Sequence, residues 1–140
     1  MRVYRVIYLL IAMSLASCTS APNQPASDAA LPDCGTFPNC VSSSSTEGTQ
    51  AVAPIAATAQ QWLELKTWIA AQDDWTITID NGDFMQAVVK TPLMRFRDDV
   101  QLRFDQNTGV IQVRSSSRLG ISDMGANRSR VEMLRDQLSP

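Results

Sequence analysis

Trp75–Lys90 reads WTITIDNGDFMQAVVK, and its reading decides the fold. Trp75, Ile77 and Ile79 alternate with Thr76 and Thr78, the period-two pattern of a strand with one buried and one wet face. Asn81-Gly82 then gives the strongest short hairpin signal in the chain, because both residues tolerate the positive φ that a two-residue turn demands. The chain returns through Phe84 to Lys90, so two antiparallel strands are expected.

Working downstream, Pro92 ends the second strand, and Leu93, Met94 and Phe96 alternate imperfectly with Arg95 and Arg97. Val100, Leu102 and Phe104 alternate with Gln101 and Arg103, the turn DQNTG closes, and Ile111 and Val113 alternate with Gln112 and Arg114. This is a second hairpin with one oily and one polar face. From Asp123 or Asn127 onward a helix is expected, with Val131, Leu134 and Leu138 as its buried stripe.

Upstream, Thr58 and Gln61 have the spacing of a capping box. Trp62, Leu65, Trp68 and Ile69 follow on one helical face, with Gln61, Glu64 and Lys66 toward water. The order is helix, four strands in two hairpins, helix. Two amphipathic helices cover one face of an antiparallel sheet, which predicts an α+β two-layer sandwich over residues 58–140.

Ahead of Thr58 the chain changes character. Residues 41–57 are low in complexity and read as a linker, and Thr19–Asp33, rich in Ala, Pro, Ser and Asn, reads as a tether with a reach of roughly 20 Å. Between them lies CGTFPNC, in which Cys34 and Cys40 pair as a disulfide if the compartment is oxidising. Zinc is the competing reading, weakened by the total lack of histidine and by only two thiolates for a tetrahedral ion. No metal site and no cofactor fingerprint is expected.

The N-terminus reads as an export signal over residues 1–17. Arg2 and Arg5 precede the apolar run Val6–Met13, which is well short of the roughly 20 residues that span a bilayer. It ends in LASC, Leu15–Cys18, which resembles a bacterial lipobox. That resemblance implies cleavage before Cys18, acylation of its thiol and a membrane partner held through lipid, with stable anchoring because several chains are attached. Thr19 after the cysteine favours the periplasmic leaflet of the outer membrane over the inner membrane.

A net acidic chain in the envelope argues against nucleic acid as a partner. The whole chain is formally −2, and without Arg2 and Arg5 it is −4. Cys18–Val89 carries one base against eight acids, whereas Lys90–Pro140 carries nine bases against six acids. The basic half either pairs with acids inside the fold or presents a face to an anion.

The candidate site lies in RSSSRLGISDMGANRSRVE, Arg114–Glu132. On one reading Arg114, Ser117, Arg118, Ser122, Asp123, Asn127 and Arg128, with Arg130 nearby, surround a helix start and hold an anionic envelope molecule, since free helix N–H groups and forked guanidiniums suit phosphate or carboxylate. On the other, Asp98, Asp99 and Asp123 pair with the same arginines and the serines satisfy turn backbone. Near-matching numbers of arginine and aspartate favour the second.

Catalysis through this loop, the competing function, would need a general base other than histidine. Lys66 and Lys90 are the only lysines, Ser115–Ser117 lack a G-x-S-x-G elbow, and a strand sends Asp98 and Asp99 to opposite faces. A non-enzymatic binding protein is therefore preferred.

Three segments carry a family resemblance: PNCVSS (Pro38–Ser43), TPLMRFRDDVQLRF (Thr91–Phe104) and VRSSSRLGISDMGANRSRVE (Val113–Glu132). Together they resemble the family catalogued as domain of unknown function 1499, found in bacterial lipoproteins, exported proteins and photosynthetic organisms. The likeness covers nearly all the chain beyond the tether. It implies an exported protein and little about chemistry, and Ile121 stands where members usually have an aromatic.

Overall fold

A computed structural model describes residues 30–46 and 48–139. Its sheet is antiparallel, with helices α1 (Ala59–Ala70) and α2 (Ala126–Asp136) as the second layer. Four strands form the expected meander: β3 (Trp75–Asp80), β4 (Phe84–Lys90), β5 (Arg97–Asp105) and β6 (Val110–Ser117). The α+β class holds.

The sheet has six strands, however, and not about four. The additional two, β1 (Cys40–Ser42) and β2 (Ile55–Ala56), come from the stretch read as cysteine loop and linker. Both pair antiparallel with β6, β1 along Arg114–Ser116 and β2 along Val110–Ile111. Low complexity concealed them because too few residues alternate to show a period. Burial explains their order: Val41, Val52, Ile55 and Ala57 all enter the core. A short 3-10 turn, Gly48–Gln50, lies between them.

Helix α1 begins as its sequence dictates. The Thr58 hydroxyl accepts from the Gln61 N–H at 3.2 Å, and the Gln61 side chain accepts from the Thr58 N–H at 2.9 Å. Trp62, Leu65 and Ile69 are buried. Lys66 does not point freely to water: its Nζ meets Asp80 at 2.6 Å and lies over the Trp62 ring. Trp62 donates to the Gly82 carbonyl at 2.9 Å, so α1 holds the tip of the first hairpin.

Register between β3 and β4 slips at Ile77–Ile79, where Ile77 faces Ala87 but Ile79 faces Gln86, leaving Thr78 as a bulge. The second hairpin is regular, from Asp98 opposite Ser117 to Asp105 opposite Val110.

Helix α2 starts later than a Ser122 or Asp123 cap would place it. Gly125 is the N-cap, at φ 85°, a left-handed conformation that costs glycine little. Val131 and Leu134 are buried on α2, and Leu138, beyond its last residue, is buried too. The core between layers is completed by Met85, Val100, Leu102, Ile111 and Val113.

Candidate functional site

Strand geometry builds the site. Asp98 is in phase with Val100, Leu102 and Phe104, the core-facing set of β5, so its carboxylate is sent beneath α2. Arg130 of α2 meets it, Nη2 donating to Asp98 Oδ2 at 2.8 Å. The other fork of Arg130 donates to the Ser115 hydroxyl at 2.8 Å and to Asn127 Oδ1 at 2.7 Å. Ser115 in turn donates to Asn127 Oδ1 at 2.7 Å. Asp98, Ser115 and Asn127 are almost wholly enclosed.

Asn127 is the hub. Its Nδ2 donates to the Asn39 carbonyl at 2.9 Å, the Ser117 hydroxyl at 2.9 Å and Asp123 Oδ2 at 2.6 Å. One amide thus ties the residue before β1, the end of β6, the loop and the helix together. Asp123 supplies the cap that Gly125 lacks, accepting from the Gly125 N–H at 3.0 Å and the Asn127 N–H at 2.9 Å. Burial pushes its carboxyl pKa up, but these amide bonds outweigh burial and hold it below its ordinary value. The helix start is therefore filled by the chain's own carboxylate, where a bound anion would otherwise sit.

Asp99 points to the other face of the sheet. Arg118 grips it with two bonds, Nε at 2.8 Å and Nη2 at 2.7 Å, which hold the guanidinium pKa above its usual range. Arg114 also lies on that face, opposite Gln101 in the ladder. Burial pushes its pKa down and the Asp99 charge pulls it up. Its Nε and Nη1 are buried and make no hydrogen bond among the described residues.

Arg128 turns outward from α2 and donates to the carbonyls of Thr49 at 2.9 Å and Ala51 at 2.8 Å. Two turns later Arg135 does the same to Ala53 and Pro54. This pair of clamps straps residues 49–54 onto the helix. Replacing both with alanine should make the strap a preferred site of limited proteolysis and lower stability by about 1 kcal/mol, since charged donors are lost from a partly exposed surface. Protease digestion and thermal denaturation of the variant would check this.

The seven residues singled out as an anion site do not all meet at one point, though Ser122, Asp123 and Arg128 line a common hollow. Arg114 and Arg118 are on one sheet face, while Ser117, Asp123 and Asn127 meet under the other. Ser122 accepts from the Met124 N–H at 3.3 Å within the loop, and Arg128 is committed to the strap. Cys34 and Cys40 form the expected disulfide, with Cα atoms 5.6 Å apart. Cys18 lies outside the described residues.

Sequence reasoning missed the hub residues Ser115 and Asn39. One signal was available: an aspartate in phase with three core residues must be paired. It also missed that the β4–β5 loop (91–96) and the β6–α2 loop (118–125) meet. The Arg118 N–H donates to the Arg97 carbonyl, and Met94, Phe96, Leu119, Gly120 and Met124 line one cavity of about 280 Å³ above Asp98 and Ser117. A second hollow of about 280 Å³ lies on the far side of the loop, where Ser122, Asp123 and Arg128 meet Pro38, Cys40 and Thr49.

The family model described as protein of unknown function (DUF1499) matches residues 30–138. The chain belongs to DUF1499. The match runs through the disulfide loop and the strap as well as the meander, the same stretch that forms the described domain. No curated protein and no solved structure matches this DUF1499 chain.

Proposed function

We propose that this DUF1499 chain is a lipid-anchored binding protein of the bacterial envelope, non-enzymatic, whose working surface is the end of the sheet where the two loops meet. The observation that carries the binding reading is the closure of the polar network. Ser115 is sealed between Arg130 and Asn127, Asp98 and Asp99 each face an arginine, and Asp123 caps a helix. Groups so engaged are committed to hydrogen bonds that hold the loops in place, which supports a positioning role for them over proton transfer. The ligand class remains anionic, drawn by the basic second half of the chain.

Anchoring rests on LASC at Leu15–Cys18. Intact mass of the detergent-extracted mature protein should equal the chain from Cys18 plus its acyl groups, and Cys18→Ser should release the protein from membranes. A mature chain of unacylated mass, or one that starts elsewhere, overturns the anchor.

A further inference from the structure

Large apolar side chains are exposed at the meeting of the two loops, and they are concentrated there. Leu93, Met94 and Phe96 stand out from the β4–β5 loop, and Leu119, Ile121 and Met124 from the β6–α2 loop. Leu93 is 91 % exposed and Met124 99 %, and Met94 and Met124 line one cavity, a concentration of exposed large apolar residues that marks an interaction surface. Each loop also carries a non-glycine residue in the left-handed region, Arg95 and Met124, both at φ 53°. That conformation costs free energy and is held by the surrounding bonds, which is the pattern of a surface kept for use.

Cations frame the same end. Lys90 and Arg97 are directly opposite each other in the β4–β5 ladder, a like-charge pair that disfavours the sheet unless an anion neutralises it. Arg95 lies between them in the loop, and no salt bridge to any of the three is formed among the described residues. The nearby acids are spoken for: Asp98 and Asp99 by arginines, Asp123 by the helix start, and only Asp74 shares a hollow with Lys90.

Apolar tips beside three unpaired cations on the β4–β5 side fit the boundary between acyl chains and anionic headgroups. The entry of the chain agrees. Asn39, within the Cys34–Cys40 loop, donates to the Gly120 carbonyl at 2.7 Å, so the N-terminal side of the domain arrives at this end, and Cys18 is sixteen residues before Cys34. We infer that this end of the domain docks on an anionic bilayer surface, with the loop residues Leu93, Met94, Ile121 and Met124 in the interface and Lys90, Arg95 and Arg97 on the headgroups. The inference rests on the envelope reading and deepens it by naming the surface.

Hydrogen exchange of the full mature protein, read by mass spectrometry, tests it. The protein is placed in vesicles of phosphatidylethanolamine with phosphatidylglycerol, and in vesicles of phosphatidylcholine alone. Amides of residues 91–97 and 118–124 should be protected in the anionic vesicles, less so in the neutral ones, and less so again when salt is raised. Leu93→Ser with Met124→Ser should shift the docked population about tenfold or more toward the free form, and Lys90→Glu with Arg97→Glu should abolish the lipid preference. All four side chains are outside the core network, so the fold is retained. Equal exchange of both loops in vesicles and detergent overturns the inference. So does protection seen in native membranes but not in pure lipid, which would assign the surface to a protein partner. The mass of the same sample reports the anchor separately: acylated chains with unprotected loops sink the docking alone, and protected loops on an unacylated chain sink the anchor alone.

Discussion

Asp98→Ala should destabilise the domain by about 3 to 5 kcal/mol, the usual cost of leaving a buried charge without its partner. Arg130 is enclosed by α2, β5 and β6, and its Nη2 has Asp98 as its partner. A domain of this size has a total stability of only about 5 to 15 kcal/mol, so the variant will be marginal at growth temperature. The reason is the stranded guanidinium and not the missing carboxylate. Removing both charges with Asp98→Leu and Arg130→Met should therefore recover most of the loss, although Ser115 and Asn127 then lose a donor. Chemical denaturation of Asp98→Leu, Arg130→Met and the double would give the coupling directly. If the double is no more stable than the less stable single, the pair does not act as a unit.

Asn127→Ala is expected to come second, at about 2 to 4 kcal/mol, because it leaves several enclosed groups unsatisfied at once. Its amide serves Ser115 and Arg130 through oxygen, and Asn39, Ser117 and Asp123 through nitrogen. Asn127→Asp is the informative companion. It keeps the shape, but places an acceptor where three acceptors already converge and a charge beside Asp123, so it should be at least as harmful as alanine. Since Asn127 reaches the residue preceding β1, hydrogen exchange should show early opening of β1 in either variant while β3–β4 remains protected. Uniform loss of protection across the sheet would show that the hub is not local.

How much of this was legible follows from which signals are local. The Thr58–Gln61 box is written in four adjacent residues and forms as read. The first hairpin turns where Asn81-Gly82 signals it, but only Gly82 takes a positive φ and the Asn81 N–H donates to the Phe84 carbonyl, so Gly82 and Asp83 are the central residues. The meander was legible because its strands are six to nine residues long and keep a period. β1 and β2 were not, since three and two residues cannot display one; they exist because β6 has an edge to offer and because Val52 and Ile55 have a core to enter. The helix start was displaced because Asp123 acts from outside the N-cap, through a chain reversal at Gly125 that no propensity encodes. For the loops, sequence distance hid the answer. Leu93 and Met124 are far apart along the chain, and only the folded register brings the two apolar tips to one end.

The two outer edges of the sheet bear on how copies of the protein tolerate one another. β6 is covered by two brief strands with a strap crossing between them, and β3 at the opposite margin carries the Thr78 bulge, which breaks the even spacing of its outward backbone groups. Strand-to-strand association between molecules needs a long, flat, regular margin, and this domain offers none on either side. Molecules concentrated on a surface can therefore collide side by side without zipping into a continuous sheet. Straightening β3 by deleting Thr78 would remove that safeguard, and the altered protein should precipitate as its concentration rises even where its fold survives.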